Sequence, residues 1–68
     1  MITLHNTVVG PIAVRLIERP GDRYAVLCEY GGAMGISPVR QRNHDAAVAA
    51  YLRVVMRAEA ETGAVPVL

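Results

Sequence analysis

Lysine, tryptophan and phenylalanine are missing from this 68-residue chain, and cysteine occurs once. Each absence excludes something. One cysteine cannot close an internal disulfide, so no covalent staple supports so small a domain. His5 and His44 lie far apart and form no zinc-ligand spacing with that cysteine. Three tyrosines as the only aromatics leave no broad platform for stacking bases. No uninterrupted apolar run approaches the roughly 18 residues of a membrane span. The N-terminus lacks the basic region of a secretory signal, and its apolar run is cut by Gly10, Pro11 and Arg15. Together with the unpaired thiol, these features predict a cytoplasmic protein with no membrane contact. Charge is also scarce. Seven basic and six acidic residues give a net charge of +1, too little by itself to announce a nucleic-acid binder. All the basic residues are arginine, and alanine, valine and glycine are frequent, which suggests a GC-rich coding sequence and a bacterial or phage source.

What is abundant is apolar surface, at 53% of residues without counting glycine. A chain of this length is one domain and buries only about 60% of its unfolded surface, so its stability is marginal. With disulfide and metal removed as staples, oligomerisation or partner binding is the remaining device. We therefore expect a homodimer.

The stretch from Asn43 to Thr62 organises the chain. Asn43 is a suitable N-cap, and Asp45 places a negative charge near the positive end of the helix dipole. Six alanines favour the helix, Gly63 suits the left-handed residue just past its end, and Pro66 follows. At roughly 100° per residue, Val48, Tyr51, Leu52 and Val55 form the centre of an apolar stripe. Val54 and Met56 lie further out on opposite sides, so the apolar arc spans roughly 200°, wider than covering one sheet face requires. A greasy helix with exposed alanines is one reading of that width. The other gives the helix a core side and a partner side, with Val54, Met56 or the tail Ala64 to Leu68 at the contact.

Before the helix the pattern is that of strands. Residues 12 to 18 alternate, with Ile12, Val14 and Leu16 on the inward face. Arg19-Pro20-Gly21-Asp22 is a turn. Residues 23 to 30 form a second, central strand with Tyr24, Val26, Cys28 and Tyr30 inward. Gly31-Gly32 then makes a hairpin turn. Residues 33 to 42 form a third strand whose parity conflicts, which predicts a bulge or break near Gly35 or Pro38. Pro38 argues for a sheet edge. Within residues 1 to 10, either Ile2 to Leu4 add a short strand or the segment is a loose arm. The predicted fold is α+β, a three-stranded antiparallel meander packed against one C-terminal helix.

No catalytic or metal-binding constellation stands out, and no cofactor is expected. Cys28 sits in an apolar strand face without a spaced base, and a thiol needs an electropositive setting to become a nucleophile. The suggestive group is Arg40, Arg42 and His44 beside the helix start. Helix N-termini favour anions, and arginine holds phosphate or carboxylate bidentately. Arg53 and Arg57 share a helix side that would extend the patch. The bland alternative is a solvated edge with Asp45 as countercharge.

In outline, three strands and a helix resemble the AP2-like arm-binding domains of phage integrases, the partial sheet of HicB-type antitoxins and small phage inhibitors such as anti-CRISPR proteins. No motif matches, so the resemblance assigns no residue roles. The expected function is a non-enzymatic interaction protein that binds a protein or nucleoprotein complex as inhibitor or regulator. The alternative is a small nucleic-acid-binding module of the AP2-like layout, which would need a basic sheet face.

Overall fold

The computed structural model describes residues 1–63 of the chain. Four strands, β1 (Ile2–Val9), β2 (Ile12–Arg19), β3 (Arg23–Tyr30) and β4 (Ala33–Pro38), precede one helix, α1 (His44–Thr62). The strands form an antiparallel meander in the order β1-β2-β3-β4. The expected three-stranded meander thus gains a strand, because residues 2 to 9 pair along β2 instead of forming an arm.

The turns follow from residues that accept positive φ. Gly31 and Gly32 join β3 to β4 at φ of 57° and 86°, the conformation that matches strand twist in a two-residue hairpin. The parity conflict expected in the last strand resolves as a break rather than a bulge: β3 and β4 pair without a register shift, and the strand ends at Pro38. The irregularity lies in β1 between Thr3 and His5, leaving Leu4 as the extra residue. The last strand stops at Pro38, so Arg40 and Arg42 belong to the connection into the helix rather than to an edge strand.

α1 begins and ends as the sequence dictates. Asn43 Oδ1 accepts from the Asp45 N–H at 2.8 Å and the Ala46 N–H at 3.4 Å. Gly63 is left-handed at φ 68°, and its N–H donates to the Glu59 carbonyl oxygen at 2.7 Å. The helix packs on β1, β2 and β3 but not on β4. Its buried residues are Ala47, Tyr51, Val55 and Ala58, against Val9, Ile12, Val14, Leu16, Tyr24 and Val26 of the sheet. Leu52 was expected at the centre of this contact, yet it is 50% exposed. The small side chains of Ala47 and Ala58 form the seam that meets the sheet. Tyr51 is fixed over β1 by a buried hydrogen bond between its hydroxyl and that of Thr7, and by the His5 ring stacked at 5.6 Å. With Tyr51 turned inward, Leu52 lies about 100° further round the helix.

Of the inward positions expected on β3, Tyr24 and Val26 are buried, Cys28 is half-buried and Tyr30 is exposed. The other sheet face carries no covering element among the described residues. One row across its four strands, Thr3, Ile17, Ala25 and Pro38, still buries Ile17 and Ala25. The expected tail contact, Ala64 to Leu68, lies outside the described residues.

Candidate anion-binding site

The turn at Pro20-Gly21-Asp22 closes β2 onto β3 with Gly21 and Asp22 at φ of 82° and 56°. That closure sets Arg19 directly opposite Arg23. Like charges facing each other across antiparallel strands destabilise the pair. At the same end, the Val39 N–H donates to the Tyr24 carbonyl oxygen at 2.9 Å, which carries the chain one residue past β4 before it turns toward the helix. Arg40 and Arg42 are brought back over β3 by this route. The four arginines, with Tyr24, Pro38 and Val39, line one surface cleft of about 330 Å³.

His44 joins the group through Tyr24, whose ring it meets edge-on at a centroid distance of 6.2 Å. Its Nδ1 also lies 3.8 Å from the Asp45 carboxylate. Among the described residues none of the four guanidiniums is in an ion pair. Desolvation raises the Tyr24 phenol above its ordinary value of 10.0, and the carboxylates of Glu18 and Asp22 add to the effect. Tyr24 is therefore a neutral hydroxyl at physiological pH.

Charge is unevenly distributed. Arg15, Arg53 and Arg57 are matched in number by Glu29, Glu59 and Glu61, so the net positive charge arises from Arg19, Arg23, Arg40 and Arg42 against Glu18, Asp22 and Asp45. Glu18 and Asp22 line a different cleft on the β1 side of the hairpin, together with Met1 and Ile2. The guanidiniums and these carboxylates thus border separate openings, with Arg19 shared between them.

The helix N-terminus contributes less than its sequence implies. The Asp45 and Ala46 N–H groups are already held by Asn43 Oδ1, and the Ala47 N–H by the Asn43 carbonyl. What remains is the positive potential of the dipole.

The sequence-derived patch is therefore divided. Arg40, Arg42 and His44 come together. Arg53 and Arg57 are exposed on α1, roughly 15 and 20 Å along the axis from Asn43 at about 1.5 Å per residue, and neither lines the cleft. Val54 is partly buried against the core, whereas Met56 is 66% exposed near Leu52. Arg19 and Arg23 line the cleft but lie outside the patch read from the sequence. Their signal was readable, since a turn flanked symmetrically by two arginines places like charges in register.

Elsewhere, Ile12, Cys28, Tyr30, Glu61 and Thr62 border an opening of about 400 Å³ at the far end of the helix. Among the described residues no three His, Cys, Asp or Glu side chains form a metal-binding group, and no helix is long and apolar enough to cross a membrane. Comparison with known protein families, curated proteins and solved structures finds no match.

Proposed function

We propose that this chain is a non-enzymatic binding module whose arginine end docks on an acidic or phosphate-bearing surface of a protein or nucleoprotein complex. A bacterial or phage inhibitor or regulator in the cytoplasm fits the composition. The supporting observation is the cleft itself. Two arginines from a hairpin and two from a distant loop converge without a carboxylate partner among the described residues. Such an arrangement costs folding energy through like-charge repulsion, and an incoming anion relieves it. Tyr24 adds a neutral hydroxyl and His44 an imidazole beside it. Self-association belongs to the same reading and is motivated by the exposed Leu52, Met56, Met34 and Ile36.

The alternative, a nucleic-acid module reading DNA with its sheet, has less behind it. On the open face Arg15, Arg19 and Arg23 are separated by Ile17, Ala25 and Leu27, while Glu29 and Met34 complete a largely apolar surface.

Probe preference and the position of the arginines that carry it separate the two. Fluorescence anisotropy with a short labelled DNA duplex and with a labelled polyglutamate peptide would measure binding across a salt series. Four phosphate contacts give a slope of log K against log salt of about −3.6 on the duplex. Binding to the acidic peptide with at most weak binding to the duplex supports the protein-directed reading. A steep duplex slope, retained by an Arg40→Glu, Arg42→Glu variant but lost on Arg15→Glu, moves the site to the sheet. Failure of the parent to bind either probe rejects an anion-binding end.

A further inference from the structure

We infer that β4 is a self-pairing edge: a second copy of this chain extends the sheet there, residues 33–37 of the two copies running antiparallel about a two-fold axis at Gly35. This names the surface for the self-association proposed above and does not rest on the arginine cleft.

The backbone directions come from one hydrogen bond and the register. The Val39 N–H donates to the Tyr24 carbonyl, so that position is a hydrogen-bonded one in the β3–β4 ladder. Hydrogen-bonded and non-hydrogen-bonded pairs alternate along antiparallel strands. Given the pairs Ala25–Pro38, Val26–Ser37, Leu27–Ile36, Cys28–Gly35 and Glu29–Met34, the residues bonded to β3 are Ser37, Gly35 and Ala33. Met34, Ile36 and Pro38 therefore turn their amide groups to the open edge. Pro38 fits this assignment, because its missing N–H removes nothing from the ladder.

The edge is self-complementary. A two-fold axis at Gly35 sets Met34 of one copy opposite Ile36 of the other, and the reverse. Their four N–H groups and four carbonyls supply four inter-chain hydrogen bonds. The two Gly35 residues fall at the close, non-hydrogen-bonded pair on the axis. Met34 and Ile36 are 58% and 51% exposed and lie on the same sheet face, so the pairing also joins apolar side chains. Residues 31–39 contain no charge, so two copies meet there without repulsion. α1 leaves β4 uncovered, and its helix-side residues, Ala33, Gly35 and Ser37, are small.

The other edge differs. β1 is interrupted by the bulge at Leu4, a feature that blunts edge pairing. Five paired residues bury less than the roughly 800 Å² per partner of a standard stable interface. The dimer is accordingly weak and concentration-dependent.

Cysteine capture tests the geometry. Across a close antiparallel pair the Cα atoms lie about 4.5 Å apart, within disulfide range. A Cβ added at Gly35 meets only the Cys28 carbonyl oxygen, at 4.0 Å, so cysteine is accommodated. Cys28 faces Gly35 across the sheet and is first replaced by serine. In that Cys28→Ser background, Gly35→Cys is expected to give at least about tenfold more covalent dimer on air oxidation than Ala33→Cys. The two Ala33 residues would stand roughly 13 Å apart at about 3.3 Å per residue. Equal yields, or none from either variant, would overturn the proposal. Sedimentation of the unmodified chain gives a second reading. Ile36→Pro removes only an edge donor and should weaken dimerisation at least about tenfold while the circular dichroism spectrum is retained. A parent that stays monomeric up to ~1 mM, or an Ile36→Pro variant that dimerises as tightly, contradicts it.

Discussion

Tyr51 shows how one side chain fixes the helix rotation. Its ring is buried, His5 stacks on it, and its hydroxyl pairs with Thr7, itself a buried polar residue. Tyr51→Phe leaves the Thr7 hydroxyl unsatisfied and should cost about 1–3 kcal/mol in denaturant unfolding. Leu52→Ala, by contrast, should cost well under the ~2–5 kcal/mol of a core truncation, because half of Leu52 is already in water. The sequence made the two look alike, since both fall within one wide apolar arc. Hydrophobicity does not reveal that alanines define the contact seam while a tyrosine finds a hydroxyl 44 residues away. Tyr24 adds a pH effect with a definite sign. Desolvation first, then Glu18 and Asp22, raises its phenol in the folded chain. The folded state thus holds this proton more tightly than the unfolded state. The stability linked to it is complete below about pH 10 and is lost as pH rises through the folded value. Urea unfolding from about pH 9 to 11 should show a steeper decline for the parent than for Tyr24→Phe.

At the level of elements, local chemistry decided what was readable. α1 carries its boundaries in Asn43 and Gly63, and both caps form as the residue types require. Asn43→Ala should lower stability by about 1 kcal/mol, measurable by thermal unfolding, because two first-turn N–H groups lose their acceptor. Strands β2 and β3 were legible from alternation and from the turns on either side. β1 was legible only as a short strand over Ile2 to Leu4 or an arm, because Leu4 as an extra residue shifts the alternation and His5 and Thr7 hold inward positions that a hydrophobic pattern assigns to apolar residues. β4 suffered the opposite error. All its residues are exposed, so no burial pattern marks its end; the strand pattern runs on to Arg42, whereas the strand breaks at Pro38, one of the two places where the parity conflict predicts it.

On the scale of the whole molecule, the cleft is a product of topology. The β2–β3 turn supplies Arg19 and Arg23, and the β4–α1 connection returns Arg40 and Arg42 to the same end. Sequence proximity revealed the second pair and His44. It also grouped Arg53 and Arg57 with them, although a helix rising about 1.5 Å per residue carries those two away from the end. This separation allows local charge to be distinguished from total charge. Arg40→Glu, Arg42→Glu and Arg53→Glu, Arg57→Glu change the net charge equally, and both pairs are exposed, so each variant should fold with only small losses of stability. The salt concentration that elutes each from immobilised heparin, a generic polyanion, is the most direct measurement. With the cleft as the anion site, reversal of Arg40 and Arg42 abolishes retention, while reversal of Arg53 and Arg57 leaves elution near that of the parent. Equal losses in both variants, or retention unchanged in the first, would contradict an anion-binding cleft at this end of the molecule.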